Sequence, residues 1–321
     1  MPQIKITNYI LIGTNKVSRE IRKYYLMNPQ LGYKFKGTFE LENSIELFEG
    51  IRTFSALNEI HEIYCCSSFI TDDSLKSLVN FGLDTLIKVK VVMDSSTSTQ
   101  QSLQFDKYDK EPGFNIATIA LDEPGNQLLK RILDLFFSFI FFVIILSWLL
   151  PIVAILIKLD SKGPIFFVQQ RNGEGNRPFG CIKFRTMANK NGAGFKQATK
   201  EDSRITRMGA FLRKSSIDET PQFLNVLKGD MSLIGPRPHP IELNEKFAPL
   251  INTLMSRHYV KPGITGLAQC MGYRGETQTL ADMENRVRLD RYYIENWTFW
   301  LDIKIIFLTV VSLIRGSDKA Y

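Results

Sequence analysis

The sequence has few of the residues that build metal centres and disulfide frameworks. It contains 4 cysteines and 3 histidines in 321 residues, and the cysteines show neither a C-x-x-C pair nor the spacing of metal ligands. We therefore expect a reducing compartment and no structural zinc. No secretory signal or fixed repeat is apparent. The mean hydropathy of −0.07 excludes a polytopic membrane protein.

Positive charge is in excess only in the second part of the chain. Residues 1–120 carry 13 Lys and Arg against 14 Asp and Glu, whereas residues 121–321 carry 27 against 19. A basic excess suits an anionic partner such as nucleic acid, acidic lipid or a phosphorylated substrate. Charge alone does not choose among these three.

The most prominent feature is an uncharged run of 23 residues, 135–157, in which the non-apolar positions are Ser138, Ser147 and Pro151. It exceeds the ~18 apolar residues that mark a membrane helix, and a buried soluble helix rarely stays apolar all round. Both flanks are basic, so they do not choose an orientation. Pro151 crowds the carbonyl of Ser147 and predicts a break near the middle. A re-entrant hairpin, with both ends at one membrane face, is favoured over a kinked span.

Short β-rich runs alternate with helical stretches before this segment. We predict strands over 9–12, 63–66 and 87–93 and helices over 16–27 and 73–81. This alternation is typical of a doubly wound α/β sheet, which we assign as a Rossmann-like domain over residues 1–121. The dinucleotide fingerprint needs three glycines, of which Gly13 alone is present. A regulatory or scaffolding role is therefore favoured over a cofactor site.

An acidic pair lies at the start of a predicted helix. Ser216 with Glu219 forms a capping-box pattern, Thr220-Pro221 is an alternative start, and Gly229 is a stop signal. In either case Asp218 and Glu219 lie at the positive end of a helix, which favours the ionised carboxylates required of a nucleophile or magnesium ligand. Acidic residues are also common in a first helical turn for structural reasons alone.

Basic residues and rigid loops surround this pair in the sequence. Lys183 and Arg185 belong to a basic stretch that fits a phosphate-rich substrate, although any one of them could lie on a solvated surface. Arg237 lies between two prolines, and the stiff backbone suits a phosphate clamp. Gly263 and Gly266 would let the backbone approach a ligand closely, although tight turns would explain them nearly as well.

Taken together, the second part of the chain resembles the bacterial sugar transferase family, the monotopic phosphoglycosyl transferases. The resemblance runs from Lys130 to Phe307, and its motifs are long and occur in the family's order. They are residues 163–167, 183–187, 218–219, 225–232, 235–238 and 261–266.

The resemblance implies a chemistry for the acidic pair. Asp218 would attack the β-phosphate of a UDP-sugar, release UMP and hold the phosphosugar covalently until undecaprenyl phosphate collects it. Glu219 would complete the pair, Arg213 and Arg237 would bind phosphate, and Mg²⁺ at Asp218 would offset phosphate charge. The product would begin exopolysaccharide, capsule or O-antigen assembly, and nucleic acid would not be a partner.

The resemblance also implies an architecture. We expect a linker and re-entrant helix over residues 122–160 and a mainly helical α+β catalytic domain over 161–321. Both soluble domains would lie on the cytoplasmic face of the bacterial inner membrane.

The region 297–307 suits a helix at a lipid interface or one packed on the core. Larger family members usually carry four transmembrane helices before the α/β domain, and these are absent here. The family's Ser-Pro pair in the hairpin is Ser147-Trp148 here, which shifts or softens the expected break.

Two other readings compete with this one. The α/β domain could act as a nucleotide-sugar epimerase or dehydrogenase, which its missing glycines disfavour. Alternatively, the chain could be a membrane-tethered sensor of anionic ligands without turnover. Neither the sugar nor the oligomeric state follows from the sequence, although a homo-oligomer is compatible with it.

Overall fold

The protein divides into two compact units, Met1–Thr118 and Ile119–Tyr321. The computed structural model describes residues 6–40, 44–66, 72–92, 115–117, 119–188, 202–273, 275 and 279–315. The long apolar segment falls in the second unit, and the predicted boundaries at residues 121 and 160 stay predictions.

A five-stranded sheet forms the centre of the first unit. Its strand order is β2-β1-β3-β4-β5, with β1 to β4 parallel and β5 antiparallel to β4. Helices lie on both of its faces. The elements are β1 Thr7–Ile12, α1 Lys16–Met27, β2 Tyr33–Phe39, α2 Ser44–Leu57, β3 Glu62–Cys66, α3 Asp72–Thr85, β4 Lys88–Val92 and β5 Asn115–Ala117.

Alternate residues of the central strands enter two separate cores. Ile10 and Ile63 pack with α2 and α3 on one face of the sheet, whereas Tyr9, Leu11 and Tyr64 pack with α1 on the other. Residues of a strand alternate between faces, so one buried strand serves both layers. The predicted mixed α/β organisation with a parallel sheet is confirmed.

The sequence-based assignment missed β2, α2 and β5. Strand β2 lies at the edge of the sheet and alternates exposed with half-buried residues, among them Lys34, Lys36 and Gly37. An edge strand needs no continuous apolar run, so its hydrophobic signal is weak.

The second unit is mainly helical and contains two small strand pairs. β6 and β7 form an antiparallel hairpin, and β8 and β9 form a parallel pair. The elements are α4 Pro124–Phe141, α5 Ser147–Asp160, β6 Phe166–Asn172, β7 Pro178–Phe184, α6 Arg207–Lys214, α7 Gln222–Lys228, β8 Ser232–Ile234, α8 Ile241–Phe247, β9 Gly263–Thr265, α9 Leu267–Cys270, α10 Leu280–Glu295 and α11 Phe299–Arg315.

The apolar segment lies in one long helical stretch that includes α4 and α5. It runs over Pro124–Asp160, 37 residues, and is long and apolar enough to cross a membrane. Pro151 lies inside α5 without ending it. The helical pattern changes instead at a π-helical turn, Phe142–Leu146. Ser147 Oγ donates to the Val143 carbonyl (2.6 Å) and Trp148 Nε1 to the Ile144 carbonyl (2.7 Å). The predicted break is therefore a shifted hydrogen-bond register rather than an interruption of the helix.

Both ends of this stretch pack on other elements of the second unit. Near its start, Arg131 donates to the carbonyls of Val226 and Leu227, and Asp134 accepts hydrogen bonds from Ser232 and Leu233. Near its end, Val153 and Ile157 are buried in a cluster with Phe184 and Leu212. Between these anchors, apolar side chains such as Phe139 and Ile144 are exposed.

Helix α11 has two different faces. Asp302 is buried and accepts hydrogen bonds from Lys130 Nζ (2.7 Å) and from Trp297 Nε1 (3.0 Å). On the opposite side Trp300 and Phe307 are 75% and 67% exposed. One face of this region is therefore packed on the core, as one of the two predicted alternatives states. The other is an exposed apolar surface of the kind favoured at lipid interfaces, and its position at such an interface stays a prediction.

Candidate active site

Asp218 and Glu219 lie in a single turn of 3₁₀ helix, Ile217–Glu219, between α6 and α7. Ser216 adopts a left-handed conformation with φ of +58° and makes no capping hydrogen bond, and the Thr220 hydroxyl donates backwards to the Ile217 carbonyl. Both predicted capping arrangements are therefore wrong, because the chain makes an extra tight turn before α7 begins. The predicted stop at Gly229 is confirmed by its φ of +100°.

Two cations from different parts of the chain bind the Glu219 carboxylate. Lys183 Nζ, on β7, lies 2.6 Å from Oε1, and Arg237, in the loop after β8, donates to both carboxylate oxygens. Burial alone would raise the pKa of Glu219, but Arg237 and Lys183 hold it well below its usual range. Glu219 is therefore an ionised carboxylate whose acceptor positions are largely occupied.

The Asp218 carboxylate, in contrast, has no hydrogen-bond donor among the residues that the structure describes. The residue is 9% exposed. Burial raises its pKa from 3.8 to about 6, the charge of Glu219 adds to this rise, and Lys183, Arg213 and Arg237 oppose it. Two adjacent carboxylates are thus held in different electrostatic states, as is typical of paired catalytic acids.

Arg213 is placed beside Asp218 by the last turn of α6. Its Nε donates to Thr186 Oγ1 (2.9 Å), which fixes the guanidinium plane. Within the described residues its two terminal nitrogens have no acceptor. Burial lowers the pKa of Arg213 and the charge of Asp218 opposes this effect, as expected for neighbouring groups. The structure thus brings together five of the predicted residues, namely Lys183, Arg213, Arg237 and the acidic pair Asp218 and Glu219.

Buried polar residues that the sequence analysis missed hold the loop of Arg237. Arg257 donates to the Arg237 carbonyl (2.8 Å) and pairs with Asp290 (2.6 Å), and Arg171 donates to the Pro238 carbonyl. Arg257 and Asp290 are each about 1% exposed. They are far apart in sequence and lie in no recognisable motif, so no local signal identifies them.

Gly263 and Gly266 lie against another stretch of backbone. A Cβ atom at Gly263 would lie 2.1 Å from the Gly235 nitrogen, and one at Gly266 would lie 2.2 Å from the Gly235 oxygen. Gly263 donates to the Pro236 carbonyl (2.9 Å). These glycines therefore let two backbone segments meet and support the Arg237 loop. Their approach to a ligand stays a prediction.

Arg185 is also placed differently from its prediction as a substrate ligand. Its guanidinium donates to the carbonyls of Ser161 (2.6 Å) and Lys162 (2.9 Å), just after α5. A Cβ atom at Gly163 would collide with this guanidinium. Arg185 thus stabilises the end of the long apolar helix, and its terminal nitrogens are occupied by protein carbonyls.

Comparison with known proteins places these features in a family. The sequence pattern described as bacterial sugar transferase matches residues 125–316. The chain belongs to the bacterial sugar transferase family.

Relatives within this family have closely similar names. A UDP-glucose:undecaprenyl-phosphate glucose-1-phosphate transferase of Xanthomonas campestris pv. campestris is 36% identical over 99% of this chain and 68% of its own length. A Klebsiella pneumoniae protein with the same name is 40% identical over 88% of this chain and 62% of its own length. A UDP-N-acetylgalactosamine-undecaprenyl-phosphate N-acetylgalactosaminephosphotransferase of Aeromonas hydrophila is 43% identical over 61% of this chain and 46% of its own length. The chain thus spans about half to two thirds of the length of these sugar transferases.

The acidic pair of this sugar transferase fits a magnesium ion bound with help from a substrate. No group of three metal-ligating side chains occurs in the part of the chain that the structure describes. Mg²⁺, however, is usually held by one or two carboxylates together with substrate phosphates. Asp218, whose oxygens accept no hydrogen bond from the described residues, offers such a ligand.

Proposed function

We propose that this sugar transferase moves a sugar 1-phosphate from a UDP-sugar to undecaprenyl phosphate and releases UMP. The observation that carries the proposal is the acidic pair. Asp218 is buried and accepts no hydrogen bond from the described residues, while Glu219 is held ionised by Lys183 and Arg237. The names of the relatives support the same substrates. The product begins the assembly of an exopolysaccharide, capsule or O-antigen.

In the first half-reaction, an oxygen of ionised Asp218 attacks the β-phosphorus of the UDP-sugar. A bond forms between this oxygen and phosphorus, the bond from phosphorus to the bridging oxygen breaks, and UMP leaves with that oxygen. The sugar phosphate is then bonded to the enzyme. The nucleophile is suitable because its oxygens accept no hydrogen bond within the described part of the chain, and a pKa of about 6 leaves it ionised at neutral pH.

In the second half-reaction, a phosphate oxygen of undecaprenyl phosphate attacks the same phosphorus atom. The bond to Asp218 breaks, the carboxylate is regenerated, and the sugar becomes linked to the lipid through a diphosphate. Splitting the transfer into two displacements lets the nucleotide leave before the lipid arrives, so one small site serves both substrates in turn.

The neighbouring cations neutralise phosphate charge and orient the pair. Arg213, with both terminal nitrogens open within the described structure, binds the phosphate under attack. Glu219 holds Lys183 and Arg237 at the site and is not itself the nucleophile. A Mg²⁺ ion held by Asp218 and the substrate phosphates would supply further positive charge to the diphosphate.

We further propose that the helical stretch Pro124–Asp160 is re-entrant. At 1.5 Å per residue, Arg131 and Ile157 would lie roughly 39 Å apart in a straight helix, which exceeds the ~30 Å hydrocarbon core. Yet Arg131 and Asp134 at one end, and Val153 and Ile157 at the other, all contact the second unit. A polar folded unit cannot extend through the hydrocarbon, so both ends belong to one face. Because UDP-sugars are cytoplasmic, we assign both units to the cytoplasmic face of the inner membrane.

The test of the function is UMP release by the full chain in lipid nanodiscs with Mg²⁺, undecaprenyl phosphate and a panel of UDP-sugars. We expect release with at least one UDP-sugar and a loss to background in Asp218→Asn. Glu245→Gln, which changes an exposed carboxylate of α8, is the matched control and should retain full activity. Substantial UMP release by Asp218→Asn would refute the assignment of the nucleophile.

A further inference from the structure

An apolar groove of about 700 Å³ runs alongside the acidic pair in the second unit. One wall is the membrane helix, with Ile140 and Ile144, and the opposite wall is α11, with Ile306 and Val310. Phe223 of α7 also lines it and stacks on Phe141 of the membrane helix, with the ring centroids 3.9 Å apart. The groove is therefore bounded by the elements that meet the lipid.

The groove reaches the reaction site. Glu219, Ser216 and Thr220 belong to its lining, and Glu219 is the one charged residue among the described lining residues. Arg213 and Arg237 lie close enough to influence the pKa of Asp218. A molecule with an anionic head and an apolar tail would thus meet cations at one end and hydrocarbon walls along the rest.

Several polar groups of the lining are already paired with one another. Thr265 Oγ1 and Thr309 Oγ1 lie 2.7 Å apart, and Thr309 also donates to the Ile305 carbonyl (2.7 Å). Cys270 Sγ lies 3.1 Å from Thr309 Oγ1. These groups need no partner from a ligand, so this part of the lining is effectively apolar. Gln269 Oε1, also in the lining, is a buried acceptor without a partner among the described residues. A nucleotide or sugar placed there would leave its own polar groups unpaired, which is costly.

We propose that this groove binds the isoprenoid segment next to the phosphate of the lipid acceptor, and so delivers that phosphate to Asp218. The proposal rests on the proposed function and extends it to the site of the acceptor chain. The volume lies in the ~300–1,000 Å³ range of small-molecule pockets. It therefore holds the part of the chain near the head, and the rest of the prenyl chain extends into the bilayer.

Because the two half-reactions can be measured separately, the test can isolate the acceptor. UMP released in a single turnover without acceptor reports the first half, and transfer of labelled sugar phosphate to undecaprenyl phosphate reports the second. Ile144→Trp and Val310→Trp place an indole in the groove from opposite walls. Both residues are about half exposed or more, so the fold tolerates the change. Val143→Trp and Phe307→Trp are matched controls, since they are exposed neighbours outside the lining.

We expect both groove variants to keep the UMP burst. Their rate of transfer to undecaprenyl phosphate should fall at least tenfold, and their KM for that lipid should rise. Both controls should behave as the unaltered protein. Unchanged transfer would mean that a bilayer acyl chain, or nothing, occupies the groove, and would overturn the proposal. Loss of the burst together with transfer would place the defect at the carboxylates and would also overturn it. Absence of a burst from unaltered protein that still transfers sugar phosphate would refute the covalent step, while the relative transfer rates would still decide the groove.

Discussion

Replacing Asp218 by Asn should stabilise the folded protein at neutral and alkaline pH while abolishing activity. The reason is that burial and the neighbouring charge of Glu219 raise the pKa of Asp218 from 3.8 to about 6. The native site therefore disfavours the ionised carboxylate that the reaction requires. An amide of the same shape removes this cost but cannot attack phosphorus.

The size of the effect follows from the pKa shift. A rise of about two pH units at 1.36 kcal/mol each corresponds to about 3 kcal/mol at most. A carboxyl with a raised folded-state pKa contributes stability that is fully present below the unfolded-state value and is lost as pH rises through about 6. The gain in unfolding free energy caused by Asp218→Asn should therefore be largest at pH 8 and should fall to under about 1 kcal/mol at pH 4.

Thermal unfolding in nanodiscs at pH 8 and pH 4 measures this difference. For a domain of this size, 3 kcal/mol corresponds to a rise in Tm of roughly 6–12 °C. Glu219→Gln is the informative partner, because it leaves Lys183 and Arg237 buried without their carboxylate and should cost about 3–5 kcal/mol. If Asp218→Asn unfolds at or below the temperature of the unaltered protein at pH 8, our account of the site's electrostatics is wrong.

Two further predictions follow from the site and the membrane helix. The rate of single-turnover UMP release should be constant above about pH 7 and fall about tenfold per pH unit below about 6, because protonated Asp218 is not nucleophilic; a rate that stays constant down to pH 5 would contradict this. In a cysteine-free background, Leu57→Cys in the first unit and Glu174→Cys in the second, both at exposed positions, should react with a membrane-impermeant thiol reagent only after cells are opened. Labelling of one of them in intact cells would show that the helix spans the membrane.

The sequence predicted the classes of structure that depend on local pattern. The apolar run at 135–157 needed no tertiary information, because a charge-free segment of this length has few stable environments outside a membrane. The alternation of strands and helices before it predicted a parallel sheet, and Gly229 marked the end of α7. In each case the physical signal lies within a few neighbouring residues.

The site itself depended on tertiary structure. From the sequence, Lys183 and Arg185 are equivalent basic residues two positions apart. In the structure Lys183, in β7, binds Glu219, whereas Arg185, just after β7, binds the chain that follows the apolar helix. Gly263 and Gly266 fit a ligand-binding loop equally well until their backbones are seen against Gly235. Packing between segments far apart in the chain decides which charged side chains form contacts, and no local sequence pattern encodes that packing.

What the sequence by itself determined, then, is an apolar helix long enough to cross a membrane, a parallel α/β domain and a set of candidate charged residues. Only the tertiary structure decided that two cations bind Glu219, that Asp218 has no donor among the described residues, and that an apolar groove reaches this pair. The physical reason is that a pKa depends on burial and on charges brought within a few ångströms. Those distances are set by packing between elements far apart in the chain.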